Sequence, residues 1–110
     1  MKNLSIKQLA NALQVFRTVN PDMNINMLLT FLEVAQNDGI TGRELEDRLA
    51  LPHTTAARMM RYFDRLQTAG KPGLDLFKVE LDPLDYKAKL RKLNDNGAAL
   101  LNRVEEAMSN

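Results

Sequence analysis

Two groups of residues in this chain have side chains and spacings suited to contacting a nucleic acid. The first follows Pro52, where two short hydroxyl side chains, Thr54 and Thr55, precede Arg58. A helix that lies in the major groove needs short hydrogen-bonding side chains near its N-terminus and cations further along. The second group lies at residues 87–92, where four of the six side chains are cationic. Cations on an exposed hairpin can contact phosphates or enter the minor groove.

The candidate DNA-contacting set consists of His53, Thr54, Thr55, Arg58, Arg61, Arg65, Lys87, Lys89 and Arg91. Arg58 is the candidate for a base contact, because arginine commonly pairs with guanine through two hydrogen bonds. The two threonines suit base edges or thymine methyl groups, whereas Arg61 and Arg65 suit phosphates. His53 is the only histidine and suits a phosphate contact at the start of the helix. A metal site is not expected, because the chain has neither a second histidine nor a cysteine.

The same residues also have a plainer interpretation. The threonines can cap a helix while Arg58 stays solvated, and lysines on a hairpin often protect an edge strand from aggregation. Asp82 and Asp85 would repel phosphate unless one of them orients a cation. We expect Asp85 to do this for Lys87 or Arg91. The residues alone leave both interpretations open.

The first part of the chain predicts two helices. Residues 5–19 carry apolar side chains at helical spacing. A second helix is predicted over residues 20–37, with Asn20 as its N-cap and Pro21 at its first position. This second helix is apolar on most sides, which predicts that it is the central buried element.

A helix-turn-helix is predicted next. Thr41 and Glu44 form a capping box that opens a short helix over residues 42–49. After a tight turn, a longer helix is predicted over residues 52–69. Its predicted inward face consists of Ala56, Met59, Met60, Phe63 and Leu66. A short helix, a brief turn and a longer helix are the layout of the helix-turn-helix motif.

A hairpin and a last helix complete the prediction. Glycines and a proline at residues 70–73 end the long helix, and a strand is predicted over residues 74–81 with a bulge near Phe77. A loop precedes a returning strand at residues 88–93, and Asn94 caps the last helix. The predicted fold is mainly α with a small β-hairpin wing, a winged helix-turn-helix.

Composition limits the other classes of function. The chain has 110 residues, enough for one domain over residues 1–110, and no cysteine, which excludes disulfides and thiolate metal sites. No signal peptide or membrane-spanning apolar run is recognisable, so we expect a cytoplasmic protein without a membrane partner. We expect neither a cofactor nor an enzyme, because no nucleophile–base pair, phosphate-binding glycine loop or metal cluster stands out.

The formal net charge of +1 hides an uneven distribution. Residues 51–92 carry nine Lys and Arg against five Asp and Glu, whereas residues 21–50 carry two against six. The basic stretch contains the whole candidate set. A phosphate-binding surface is therefore expected there.

The order and spacing of these signals resemble the MarR family of winged-helix regulators over residues 40–101. The resemblance is carried by residues 40–45 (ITGREL), residues 51–58 (LPHTTAAR), and the wing positions Asp85, Lys87, Leu93, Asn94 and Gly97. Lys87 stands where the family pattern has arginine, and Asn94 stands where it has threonine. The chain also ends sooner after the wing than family members usually do.

The resemblance implies a transcription regulator that binds double-stranded DNA as a homodimer at a palindromic site. It implies that the terminal helices, about residues 5–19 and 95–109, form the dimer. Many members of the family respond to small aromatic ligands, but no residue pattern here identifies an effector. The alternative is a winged-helix module that binds another protein without specific DNA binding, because fold alone does not fix function.

Overall fold

A computed structural model describes residues 5–68 and 70–109. Within these residues the helices are α1 (Ile6–Val19), α2 (Ile25–Ala35), α3 (Gly42–Leu49), α4 (His53–Phe63) and α5 (Asp95–Met108). The strands are β1 (Ile40–Thr41), β2 (Leu66–Thr68), β3 (Lys71–Pro72), β4 (Phe77–Asp82) and β5 (Asp85–Leu93). The architecture confirms the predicted fold class, mainly α with a hairpin wing.

The core is built around Phe31 of α2, which is fully buried. The rings of Phe16, Phe63 and Phe77 surround it, with centroids 5.6, 6.0 and 6.3 Å away. Aromatic pairs at these separations contribute attraction beyond their area burial. Four elements, α1, α2, α4 and β4, therefore meet at one ring, and the prediction that α2 is the central buried element is confirmed.

The wing is an antiparallel sheet in the strand order β1-β5-β4. Its long hairpin closes at residues 83 and 84, because Asp82 and Asp85 are paired across the turn. β1 pairs only with Leu90 and Arg91 of β5. The outer half of the hairpin is consequently a two-stranded ribbon.

The two terminal helices, α1 and α5, pack against each other in antiparallel orientation. The Gln8 side chain donates to the Met108 carbonyl at 2.6 Å, and Arg103 donates to Thr18 Oγ1 at 3.0 Å. In the described part of the chain, no helix combines the length and apolar character needed to cross a membrane.

The predicted start of the second helix is wrong. Asn20 is the C-cap of α1, not the N-cap of α2, and α2 begins after Asn24, whose side chain accepts from the Met27 N–H. The Asn20 side chain instead accepts from the Asp22 N–H at 2.8 Å and makes a tight turn. Asparagine favours turns and caps equally, so local sequence does not distinguish the two roles.

The predicted long helix over residues 52–69 is also wrong at its end, because α4 stops at Phe63 and Leu66 already lies in β2. Residue 69 lies outside the described residues. Four backbone N–H groups at residues 73–76 donate to the carbonyls of residues 62–65 and hold them in place. Leu66, predicted to face inward, is therefore exposed.

The predicted strand boundaries also differ from the observed ones. β4 begins at Phe77 rather than residue 74, because Asp75 has a left-handed φ of 57° that interrupts an extended strand. The irregularity in register lies between Leu81 and Asp82, not near Phe77. β5 begins at Asp85 instead of residue 88. The short strands β1, β2 and β3 were not predicted.

Candidate nucleic-acid interface

The first helix of the helix-turn-helix, α3, is fixed by its predicted capping box. Thr41 Oγ1 accepts from the Glu44 N–H at 3.1 Å, and the Glu44 carboxylate accepts from the Thr41 N–H at 2.9 Å. Leu45 is completely buried on the inner side. Both ends of the capping box are thus satisfied, and α3 begins at a defined residue.

The turn between α3 and α4 depends on Ala50, which has the left-handed conformation φ 51°, ψ 48°. Its N–H donates to the Glu46 carbonyl, as does the N–H of Leu51. A left-handed C-cap usually carries glycine, because a Cβ is strained there. This turn directs the chain into the second helix within three residues.

The inner face of α4 consists of Ala56, Met59, Met60 and Phe63, all buried. A helix turns by roughly 100° per residue, so burial of these positions directs residues 54, 58 and 61 away from the core. Thr54, Arg58 and Arg61 are exposed accordingly, and Thr55 is half-buried on one flank. This is the orientation that base and phosphate contacts require, although the contacts themselves stay a prediction.

His53, at the start of α4, contacts the preceding helix. Its Nδ1 lies 2.8 Å from the Glu46 carboxylate, while most of the ring is exposed to solvent. The contact ties the start of α4 to α3. No group of three or more His, Asp or Glu residues in the described ranges could hold a metal ion.

A groove of about 800 Å³ separates the helix-turn-helix from the wing. Its cationic lining residues are Arg43, Arg61, Lys87, Lys89 and Arg91, and its acidic lining residues are Glu46, Asp82 and Asp85. His53 also lines the groove. The structure therefore brings five of the nine candidate residues to one groove, and places Thr54, Thr55 and Arg58 on the neighbouring faces of α4.

The wing carries its cations behind its tip. Lys87 and Lys89 are exposed on β5, whereas Leu84 at the tip is 95% exposed and lies between Asp82 and Asp85. Both carboxylates accept from nearby backbone N–H groups, Asp82 from Leu84 at 2.9 Å and Asp85 from Lys87 at 3.1 Å. These bonds shape the turn.

Arg91 is held by a partner that the sequence analysis missed. Its Nη2 donates to Asp64 Oδ2 at 2.7 Å and its Nε donates to Oδ1 at 3.4 Å. The expectation that Asp85 orients Arg91 is therefore wrong. Asp64 follows directly after the buried Phe63, and an acidic residue in such a position signals a hidden cationic partner. Nothing local identifies a partner 27 residues away.

Arg65 lies apart from the other candidates. It follows the end of α4, so it does not share the exposed face of that helix. It lines a separate recess with Leu66, Lys78 and Val79. The predicted phosphate contact of Arg65 would require DNA to reach this recess as well as the groove.

Lys92 points to the opposite face of the wing. It contacts Glu80 at 3.0 Å and Asp38 at 3.4 Å. The hydrogen bond to Glu80, followed by the charge of Asp38, raises the pKa of Lys92 above its usual value. Lys92 is thus a matched cation on the same strand that does not line the groove.

The resemblance to solved structures concerns nearly the whole chain. A transcriptional regulator from Thermotoga maritima matches with a TM-score of 0.73 and 14% identity, over 93% of this chain and 65% of that chain. MepR from S. aureus, solved with DNA, matches with a TM-score of 0.70 and 18% identity, over 92% and 75%. A mutant MarR from E. coli, solved with operator DNA, matches with a TM-score of 0.61 and 20% identity, over 93% and 67%.

The chain has a MarR-type winged-helix fold. This confirms the fold that the sequence resemblance implied. The chain spans 65% of the Thermotoga maritima regulator, 75% of MepR and 67% of the MarR mutant. No protein-family profile and no curated protein sequence matches it. The MarR-type fold assigns α3 and α4 to the helix-turn-helix and β4–β5 to the wing.

The conformation of Ala50 leads to a stability prediction. Ala50→Gly should stabilise the chain by roughly 0.5–1 kcal/mol, because relief of left-handed strain exceeds the extra entropy that glycine loses on folding. Urea denaturation measures the change. The control is Ala57→Gly inside α4, which should destabilise by about 1 kcal/mol. If both glycine variants lose stability equally, the strained turn is not present in solution.

Proposed function

We propose that the chain is a sequence-specific regulator of transcription that binds double-stranded DNA. In this proposal α4 lies in the major groove, and the wing contacts the minor groove or the backbone beside it. The observation that carries the proposal is the exposed face of α4, with Thr54, Arg58 and Arg61, next to a groove whose far wall holds Lys87 and Lys89. Both sets of side chains can reach one duplex.

The candidate residues divide by chemistry. Arg58 and the two threonines stand near the start of α4, where a recognition helix comes closest to base edges. Arg61 lies further along α4, and Lys87 and Lys89 are exposed ammonium groups on the wing, so these three cations suit phosphates. The first set would determine which sequence is bound, and the second would supply affinity that depends on salt.

Two of the similar structures support DNA as the partner, because MepR and the E. coli MarR mutant were solved with DNA. Their identity to this chain is low, so the side chains of this chain determine which contacts it can make. Replacement of the family's wing arginine by Lys87 removes a bidentate group. The wing of this chain would therefore bind phosphate as a point charge.

The exposed surface of α1 supports a homodimer as part of this proposal. Ile6, Leu9 and Leu13 are 84, 50 and 44% exposed and recur on one side of the helix, next to the α1–α5 pair. An apolar stripe in this position is suited to a second copy. Two copies would present two α4 helices to half-sites about 34–36 Å apart, which makes a palindromic site the expected target.

Replacement of Arg58 tests the base contact. Selection from a random duplex pool would first define the bound site. Arg58→Ala should then weaken binding to that site by about 1–3 kcal/mol and relax the base preference at one position. The control Lys92→Ala removes a cation that pairs with Glu80 and Asp38 away from the groove, and it should leave affinity unchanged. An Arg58→Ala protein that keeps the parent's affinity and preference would exclude this assignment of the recognition helix.

Replacement of a wing lysine tests the backbone contact. Lys89→Ala should weaken binding to all sequences alike and reduce the slope of log affinity against log salt by about one unit. Lys92→Ala is the matched control, because Lys92 lies on the same strand but pairs with Glu80 and Asp38. Equal salt slopes for the two variants would argue against a wing contact.

The apolar stripe leads to a prediction about assembly. Leu9→Glu combined with Leu13→Glu should convert the dimer to a monomer, because two carboxylates would be buried without partners. Sedimentation velocity at micromolar concentration measures this. Leu84→Glu, an exposed apolar residue far along the wing, should leave the dimer intact. A parent protein that sediments as a monomer would contradict the proposed dimer.

A protein-interaction module is the second candidate function, and the wing tip favours it. Leu84 is almost fully exposed between two carboxylates, a combination that phosphate does not attract. A basic and apolar surface on another protein would suit it. Two measurements at low salt distinguish the two candidate functions. If the chain causes no electrophoretic mobility shift of DNA and binds one protein partner stoichiometrically, the protein-interaction module is favoured.

A further inference from the structure

The least exposed ion pair among the described residues joins the end of α4 to the wing. The side chains of Arg91 and Asp64 are only 14 and 11% exposed, and two hydrogen bonds link them. A bidentate arginine–carboxylate contact fixes the relative orientation of the two side chains as well as their distance. Asp64 is the C-cap of α4 and Arg91 lies in β5, so the pair connects the two elements that the proposed function assigns to DNA.

The Asp64 side of the pair is rigidly placed. The Asp64 carbonyl accepts from the Asp75 N–H at 3.2 Å, and the Phe63 carbonyl accepts from Leu76 at 2.8 Å. Gly73 lies so close that a Cβ there would be 2.0 Å from the Asp64 carbonyl oxygen. The carboxylate therefore projects from a backbone that cannot shift without disrupting the end of α4.

The wing side is held much less firmly. Beyond Leu90, residues 85–89 of β5 have no partner in β1, and within this stretch only Asp85 and Lys89 are paired with β4. The side chains opposite Arg91 and Lys89 are Val79 and Leu81, which are both exposed, so apolar packing contributes little on this face. An isolated two-stranded ribbon is marginally stable at best. The direction of the hairpin thus depends on contacts near its base.

We propose that the Asp64–Arg91 pair sets the position of the wing relative to α4, so that Arg91 acts as a positioning residue and not as a DNA contact. This inference rests on the proposed function. Lys89 and Arg91 alternate along β5 and share one face, and Lys87 lines the same groove. Fixing Arg91 therefore fixes where the two exposed lysines lie. The Asp64 carboxylate also neutralises the guanidinium locally and keeps it from phosphate.

Asp64→Asn separates positioning from direct contact. If Arg91 only positions the wing, the variant should weaken DNA binding and reduce the salt slope by up to about two units, because both wing lysines are displaced. If Arg91 is instead a DNA contact held back by Asp64, the variant should bind as well or better, which would overturn the proposal.

A double-mutant cycle sharpens the test. Lys87→Ala with Lys89→Ala should weaken binding strongly in the parent but have little further effect in Asp64→Asn. Fully additive effects would overturn the proposal.

Arg91→Lys is a second variant for the same test, because Asp64→Asn leaves a buried cation without its carboxylate and can unfold the chain. Arg91→Lys keeps the positive charge but loses the bidentate contact. The double lysine replacement should therefore weaken binding less in Arg91→Lys than in the parent, although the difference should be smaller than in Asp64→Asn.

A distance measurement tests the positioning without DNA. The chain has no cysteine, so Thr54→Cys and Leu84→Cys introduce two unique sites for spin labels, one on α4 and one at the wing tip. In protein diluted with unlabelled copies, the electron–electron distance distribution should be narrow in the parent and broad after Asp64→Asn or Arg91→Lys. Lys92→Met, which breaks the pair with Glu80 on the other face, should leave the distribution narrow.

An unchanged distribution in both Asp64→Asn and Arg91→Lys would overturn the positioning role. If the parent binds no duplex at any salt concentration, the proposed function fails, but the spin labels still test whether the pair holds the wing. The two failures are therefore distinguishable.

Discussion

Phe63 packs against the core aromatics, and this contact decides which side of α4 faces solvent. Its ring lies 4.9 Å from Phe77 and 6.0 Å from Phe31, and it is completely buried. Once Phe63 is fixed, helical geometry fixes the direction of Arg58 and Arg61 as well. The polar face is therefore a consequence of apolar packing. The exposed side chains of α4 therefore need no contacts among themselves to keep this face directed toward solvent.

The β-sheet likewise determines on which face each charged side chain lies. Alternation along β5 sends Lys89 and Arg91 to one face and Lys92 to the other. On the far face Lys92 meets Glu80 and Asp38, whereas on the groove face Arg91 meets Asp64 and Lys89 stays exposed. A chain with almost no net charge thus presents a localised cationic wall. Composition alone could indicate the basic stretch, but not which of its cations are already paired.

What the sequence predicted correctly depends on contacts between neighbouring residues. The capping box at Thr41 and Glu44 and the N-cap at Asn94 are complete within four residues, and both are present. The early end of α4 and the partner of Arg91 depend on residues 73–76 and on Asp64, which approach only in the folded chain. Helical periodicity continues past Phe63 in sequence, so no local signal could have stopped it. The inner face of α4 was predictable, whereas the relation of α4 to the wing was not.

The charge of the hairpin changes from cationic near its base to acidic at its tip, and this change constrains how the hairpin could contact a duplex. Its tip holds Leu84 between Asp82 and Asp85, whose carboxylates accept backbone hydrogen bonds but keep their negative charge in the turn. Insertion of this tip into the minor groove would place two carboxylates where the DNA potential is most negative. The lysines lie further back, on the flank that lines the groove. Under the proposed function the wing would consequently contact the backbone with its side, and the distance between that side and α4 becomes the quantity that must be controlled. A buried ion pair at the base of the hairpin is placed to control it.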